Sequence, residues 1–194
     1  MEIINGMKQF LKKYGNYIVI VVFTIVLLVP QIRFPVQVFI QRIFSFSPSE
    51  IEEEEREILE DYHWNLSDLD GEIHAFEELK GEVILINFWA TWCPPCVAEL
   101  PDLAELYNDY GNKVNFLFVS DESKDKLKGF LEKKELELPV YSSITAIPGE
   151  LYYTALPTTF LIARNGEIIM RKEGSASWNS EKVRNVLDRL LESK

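Results

Sequence analysis

A strand, a pair of cysteines and a helix follow one another without a break between residues 83 and 110. Residues 83–90, VILINFWA, are a continuous apolar run. Such a run marks a central strand covered on both faces. TWCPPC comes next, and from Pro95 to Tyr110 the apolar positions Val97, Leu100, Leu103, Ala104, Leu106 and Tyr107 recur at helical spacing. Gly111 is a natural stop, and Pro101 within the helix predicts a kink. The first turn of a helix offers unpaired N–H groups and the positive end of a dipole. Cys93 stands at that junction, so its sulfur should lie against those donors and ionise more readily than a free thiol. Two intervening residues put Cys96 about a turn on, within disulfide reach. Pro95 suits a first turn that needs no N–H, and Pro94 stiffens the loop without adding charge.

The elements around this junction predict an α/β sandwich. WNLSDLDGEIHAF at 64–76 reads as a hairpin turning at Asp70-Gly71. VNFLFVS at 114–120 is the next strand, and SKDKLKGFLEKKEL at 123–136 an amphipathic helix. LPVYSS begins a short strand, and residues 147–155 leave room for a helical turn or two. TTFLIA at 158–163 and GEIIMRKEG at 166–174 form a hairpin around Arg164-Asn165-Gly166. Asn179 or Ser180 caps a final helix to about Glu192, with Val183, Val186, Leu187, Leu190 and Leu191 inward. Strands alternating with helices and closing on a hairpin imply a mixed sheet.

These two cysteines are the only ones in the chain, so the pair is not part of a disulfide-stapled secreted scaffold. A zinc site would need partners. The only histidines are His63 and His74, and no second CxxC or H-x₃₋₅-H spacing exists. Both histidines fall in the first hairpin and read as surface or pairing residues. No metal site is expected. The charge is unevenly placed. Residues 1–49 hold five basic residues and one acid, which leaves 15 and 30 for the remainder, a net of −15. A domain that acidic repels phosphate backbones, so nucleic acid is excluded as a partner.

At the N-terminus, residues 17–29 read YIVIVVFTIVLLV, without one charge, behind Lys8, Lys12 and Lys13. Extended from Tyr14 to Ile32, the run reaches the length of a membrane span. It lacks a small-x-small cleavage site and a lipid-accepting cysteine, so the reading is an uncleaved signal anchor. Residues 1–13 then stay cytoplasmic, 14–32 cross, and the rest is extracytoplasmic. Residues 36–46 can gather Val36, Phe39, Ile40, Ile43 and Phe44 on one helical face, as an interfacial helix would, as a continuation of the span would, or as a surface packed on a partner would. SPSE at 47–50 looks like a helix start capped by Ser47 or Ser49, and IEEEEREILE like a solvated helical spacer. The organisation expected is a basic terminus, an anchor, a juxtamembrane spacer at 33–61 and a domain at 62–194.

N87-F-W-A-T-W-C-P-P-C-V-A-E99 resembles the active-site segment of thioredoxin-like proteins of the TlpA/ResA type, extracytoplasmic membrane-tethered thiol–disulfide oxidoreductases. LPTTFLIARNGEI at 156–168 is similar to the family's second hallmark, in which a cis proline packs beside the CxxC pair. The resemblance covers about residues 62–192. It implies a thioredoxin-like fold with a central mixed β-sheet flanked by helices and an N-terminal β-hairpin. It implies Cys93 as nucleophile, Cys96 as resolving thiol and Pro157 as the cis proline. Trp92, Pro94 and Pro95 shape the docking surface, and the backbone of Leu156 binds an extended peptide as an added strand. Glu99 matches an acid that moves protons for Cys96, against the plainer reading of a solvated helix glutamate. Asn87 departs from cytoplasmic thioredoxins, which carry an aspartate there, and the extra α/β insertion expected over 121–155 matches only vaguely.

The function so implied is reduction of disulfides in exported proteins, an apocytochrome c among them. The redox-active cysteines serve in place of a separate cofactor, and a membrane electron donor recharges a monomer. Two other readings stand beside it: a peroxide-reducing enzyme on the same fold, and an envelope interaction module without turnover. Trp89, Phe88 and Phe160 read as core. Tyr152 and Tyr153 read either as groove lining or as packing.

Overall fold

The computed structural model describes residues 2–192, and the side chains of all of them but 2–13 and 27. Seven strands form one mixed sheet in the order β2-β1-β5-β4-β3-β6-β7. They are β1 (Asn65–Asp68), β2 (Ile73–Ala75), β3 (Ile84–Phe88), β4 (Asn115–Val119), β5 (Val140–Ser143), β6 (Thr158–Ile162) and β7 (Ile168–Glu173). Strands β3, β4 and β5 run parallel, and the outer pairings are antiparallel. The helices are α1 (Glu2–Leu28), α2 (Pro30–Ile43), α3 (Pro94–Tyr110), α4 (Lys124–Lys134) and α5 (Glu181–Glu192).

The two parallel crossovers, β3–α3–β4 and β4–α4–β5, step across the sheet in the same direction. Crossovers of one hand must then leave both helices on the same face. Accordingly α3, α4 and α5 pack in one core with Val83, Leu85, Phe116 and Phe118. The opposite face of β3, Ile84, Ile86 and Phe88, meets Leu59, Tyr62, Trp64 and Phe76 instead. The sheet is therefore flanked by helices on one side and by irregular chain on the other. Trp89, Phe88 and Phe160 are core, as their sequence context suggests. Gly111 does end α3, but through space rather than a left-handed turn. Its φ is −63°, and a Cβ there would sit 2.6 Å from the Tyr107 ring.

Two expectations are corrected. Residues 51–60 are not a helical spacer, and neither Ser47 nor Ser49 caps a helix. Only Glu53–Glu55 form a single 3₁₀ turn. The segment instead runs beside the β6–β7 hairpin, with Ile51 N–H donating to Ile169 O, Ile168 N–H to Glu57 O and Leu59 N–H to Gly166 O. Four consecutive glutamates repel one another along a helix, while the hairpin supplies unpaired backbone partners. Second, the apolar N-terminal run is not one straight helix over 14–32. Among the described residues no single helix is long and apolar enough to cross a membrane. Tyr14–Val26 and Pro30–Ile43 together have the length, but they are bent by 96°. Val29 is extended and Pro30 opens α2, because a proline lacks the N–H that would continue α1 and disfavours a helical residue before it.

Candidate active site

Strand β3 delivers the chain through Trp89–Trp92 to Cys93, which is the N-cap of α3. Its backbone is extended (φ −93°, ψ 105°), and Sγ accepts the Cys96 N–H at 3.2 Å. Pro94 and Pro95 fill the first turn, where two of the orphan N–H groups of a helix would otherwise need partners. The sulfurs of Cys93 and Cys96 are joined, with Cα atoms 5.2 Å apart. Cys96 is wholly buried, while Cys93 keeps 4% of its surface. Only Cys93 borders an open cleft of about 400 Å³, shared with Trp92, Pro94, Pro95, Tyr153, Thr154, Ala155 and Leu156.

The far wall of that cleft is the turn into β6. Leu156–Pro157 is a cis peptide bond, and Pro157 O accepts the Gly174 N–H at 2.8 Å. Leu156 lines the cleft, and none of the backbone hydrogen bonds between described residues involves it. Trp92 stands 62% exposed at the rim, a large apolar surface left to solvent. Of the two tyrosines before Pro157, Tyr153 lines the cleft and stacks on Phe88 at 4.3 Å, whereas Tyr152 points to solvent.

Glu99, one turn beyond Cys96, is not a solvated helix glutamate. It is 2% exposed. Its Oε1 accepts from Asn87 Nδ2 at 2.7 Å, and its Oε2 from Ala176 N–H at 3.1 Å. Burial raises its pKa to about 8, against the pull of those two hydrogen bonds. The Trp178 indole faces the same carboxyl without meeting hydrogen-bond geometry. Asn87 also donates to Thr159 Oγ1 at 2.7 Å, so β3 and the loop after β7 meet the Glu99 carboxyl directly, and β6 is tied to it through Asn87.

Sequence reasoning missed Glu122. It lies just beyond β4, and both its oxygens grip the loop that leads to Cys93. Thr91 N–H donates to Oε2 at 2.6 Å and the Thr91 hydroxyl to Oε1 at 2.9 Å, while Lys126 pairs with Oε1. Burial alone would raise its pKa, but the Lys126 and Thr91 hydrogen bonds outweigh that and hold it below the usual glutamate value. The signal available in sequence was only an acid shortly after the second central strand. Ala176 and Trp178 were missed for the same reason: they reach the site from a distant loop.

His63 and His74 lie away from the sulfurs and pair with Asp61 and Asp68. Asp68, Glu72 and His74 bring three potential ligand atoms within 4.8 Å of one another. Asp68 Oδ1, however, is already occupied in closing the hairpin turn, accepting from the N–H groups of Asp70, Gly71 and Glu72.

Against known proteins, this chain is 36% identical over 107 residues to the thiol-disulfide oxidoreductase ResA of Bacillus cereus, covering 54% of this chain and 62% of that protein. It is 38% identical over 106 residues to ResA of Geobacillus thermodenitrificans, covering 53% and 61%. It thus spans less than two thirds of those relatives' length. Among solved structures, a DsbF homologue from Corynebacterium diphtheriae superposes with a TM-score of 0.57 at 21% identity, over 73% of this chain and 99% of that one. That likeness establishes the thioredoxin-like fold. Residues 60–171 match the AhpC/TSA family. With more than half its length inside that match and a cysteine pair on the strand-to-helix turn, the chain belongs to the AhpC/TSA family.

Proposed function

We propose that this protein is a thiol–disulfide oxidoreductase, tethered to the membrane by α1 with its domain on the extracytoplasmic side, and that it reduces disulfides in exported proteins. The observation that carries the reading is the asymmetric cysteine pair: Cys93 at an open cleft and at the head of α3, Cys96 sealed behind it. In the reduced enzyme the Cys93 thiolate attacks one sulfur of a substrate disulfide. A mixed disulfide forms and the other substrate sulfur leaves as a thiolate. Cys96 then attacks Cys93 Sγ, the second substrate sulfur is released, and the Cys93–Cys96 bond closes. Two electrons pass from the pair to the substrate. The Cys96 thiol must lose a proton in this step, and we assign that proton to the ionised form of Glu99, whose pKa of about 8 leaves a minor share ionised near neutral pH and a growing share above it.

The cleft supports the substrate class. An extended peptide can pair with the Leu156 backbone while Trp92 and Tyr153 cover its side chains. An apocytochrome c is one such substrate, and a membrane dithiol carrier would return the electrons. A peroxide-reducing enzyme calls for a lone peroxidatic cysteine with a threonine and an arginine around it. Here Cys93 has a mate, and the Thr91 hydroxyl is spent on Glu122. The test is disulfide reduction by the full chain against Cys93→Ser. Turnover in wild type and none in the variant supports the proposal. Equal behaviour of the two would leave only a binding module.

A further inference from the structure

Helix α2 wears its amphipathicity inside out. At 100° per residue, Phe34, Val38, Gln41 and Arg42 share one face, and Ile32, Val36, Phe39, Ile40 and Ile43 the opposite one. The first face docks on the domain. Val38 and Arg42 line a crevice with Val97, Ala98, Pro101 and Phe130. At the end of the helix, Ser175 donates to Gln41 Oε1, and Ser177 donates through its hydroxyl to Ser45 O and through its N–H to Phe46 O. The apolar stripe is left outward, with Phe39 65% and Ile43 59% exposed, and no residue of α2 is buried. Helix α5 does the reverse and buries Val183, Val186, Leu187 and Leu190. One face of α2 is thus satisfied by the domain, through Val38 in the crevice and Gln41 at its polar end, while the greasy outer face is stable in water only if something apolar covers it.

We propose that the cover is lipid: α2 lies in the membrane interface with Ile32, Phe39, Ile40 and Ile43 bedded among the acyl chains, so that the domain is seated on the bilayer rather than hung from a linker. This rests on reading α1 as the membrane anchor. Three observations favour lipid over a protein partner. First, only Val29 separates α2 from α1, and the 96° bend lays α2 parallel to the surface when α1 stands along the membrane normal. Second, α2 contains no acid and carries Arg33 away from its docking face, while the chain from residue 50 onward has a net charge of −15 and would be repelled by anionic headgroups. Third, the uncharged stretch from Tyr14 to Leu28 is about 22 Å long as a helix, short of a hydrocarbon core of about 30 Å. A short span is accommodated by local thinning and by anchoring side chains at its ends, which α2 supplies. Because α2 rests on α3 close behind Cys96, the seat also fixes how the cysteine pair is presented relative to the bilayer.

The test places a photoreactive benzophenone side chain at Val19, Phe39 or Ile73, one site at a time, in the full chain. Each variant is reconstituted in vesicles of phosphatidylethanolamine and phosphatidylglycerol. All three positions are exposed; Val19 lies on α1 and Ile73 on the distal hairpin. Lipid adducts at 19 and 39, each at least about tenfold above 73, support the proposal, as expected of a helix buried in the interface. Adducts at 19 alone overturn the seat and leave the anchor standing. Adducts at none of the three overturn both, and equal yields at 39 and 73 overturn the seat. Phe39→Glu with Ile43→Glu, on the exposed stripe, should leave reduction of a small soluble disulfide unchanged and lower adduct yield from a probe at Ile40 at least about tenfold. An unchanged yield at Ile40 contradicts it.

Discussion

Two glutamates sit near the cysteine pair, and their surroundings drive them in opposite directions. Glu99 comes from within α3, is sealed in the core and is held mostly protonated near neutral pH. Glu122 comes from the loop after β4, keeps a partly open side, and is held ionised by Lys126 and Thr91. The same side chain is a store of protons in one place and a fixed anchor in the other. What differs is the strength of the hydrogen-bond donors around each carboxyl relative to its degree of burial. The first is suited to proton transfer at Cys96, the second to holding the Cys93 loop in place.

The largest effect that would break this contrast is on stability. Glu99 has a pKa near 4.5 unfolded and about 8 folded. Between those values the folded chain keeps a proton that the unfolded chain has lost. Its contribution is therefore complete below about pH 4.5, shrinks as pH rises and is gone above about pH 8. The full loss is on the order of 5 kcal/mol. Denaturant unfolding across that range should show it for wild type, and Glu99→Gln should flatten the slope. A retained slope in the variant would place the titration elsewhere.

Next in size is the rate. Glu99→Gln should slow release of substrate from the mixed disulfide by about 10²-fold, the usual worth of a positioned general base, with initial attack by Cys93 unaffected. Single-turnover kinetics separates the two steps. If both slow together, Glu99 supports the fold rather than the proton transfer.

Glu122→Ala removes both acceptors from Thr91 and strands a backbone N–H. The expected cost is about 2 kcal/mol, as for hydrogen bonds to a charged group. Glu122→Gln, which keeps an acceptor, should recover part of it. Thermal unfolding of the two variants decides this, and equal stabilities would show that the acceptor kept by glutamine does nothing for the loop. Smallest is Trp92→Ala at the exposed rim. It should leave stability within about 0.5 kcal/mol of wild type while raising KM for a peptide disulfide. A loss of stability instead would make Trp92 a packing residue.

How much of this was legible depended on distance along the chain. Cys93 and Cys96 lie on one helical turn, so the local pattern put them at the strand-to-helix junction where they stand, whereas Glu99 was singled out only by the family resemblance. Pro157 was read from a second contiguous motif. Glu122, Ala176 and Trp178 arrive on loops whose sequence shows only polar or apolar character, and the sheet alone decides that they converge. The acidic run at 52–55 was misread because helix propensity was weighed without the edge of the β6–β7 hairpin that captures its backbone. The N-terminal run was read as straight because its composition is uniform up to Val29, where a single proline redirects it.

The central claim is that the head of α3 makes Cys93 a thiolate near neutral pH. Ultraviolet titration of the reduced protein, with Cys93→Ser as reference, measures that directly. The account predicts a thiolate signal, absent from the variant, rising well below the pKa of about 8.5 of free cysteine. A signal that rises only there, or that persists in Cys93→Ser, would contradict it.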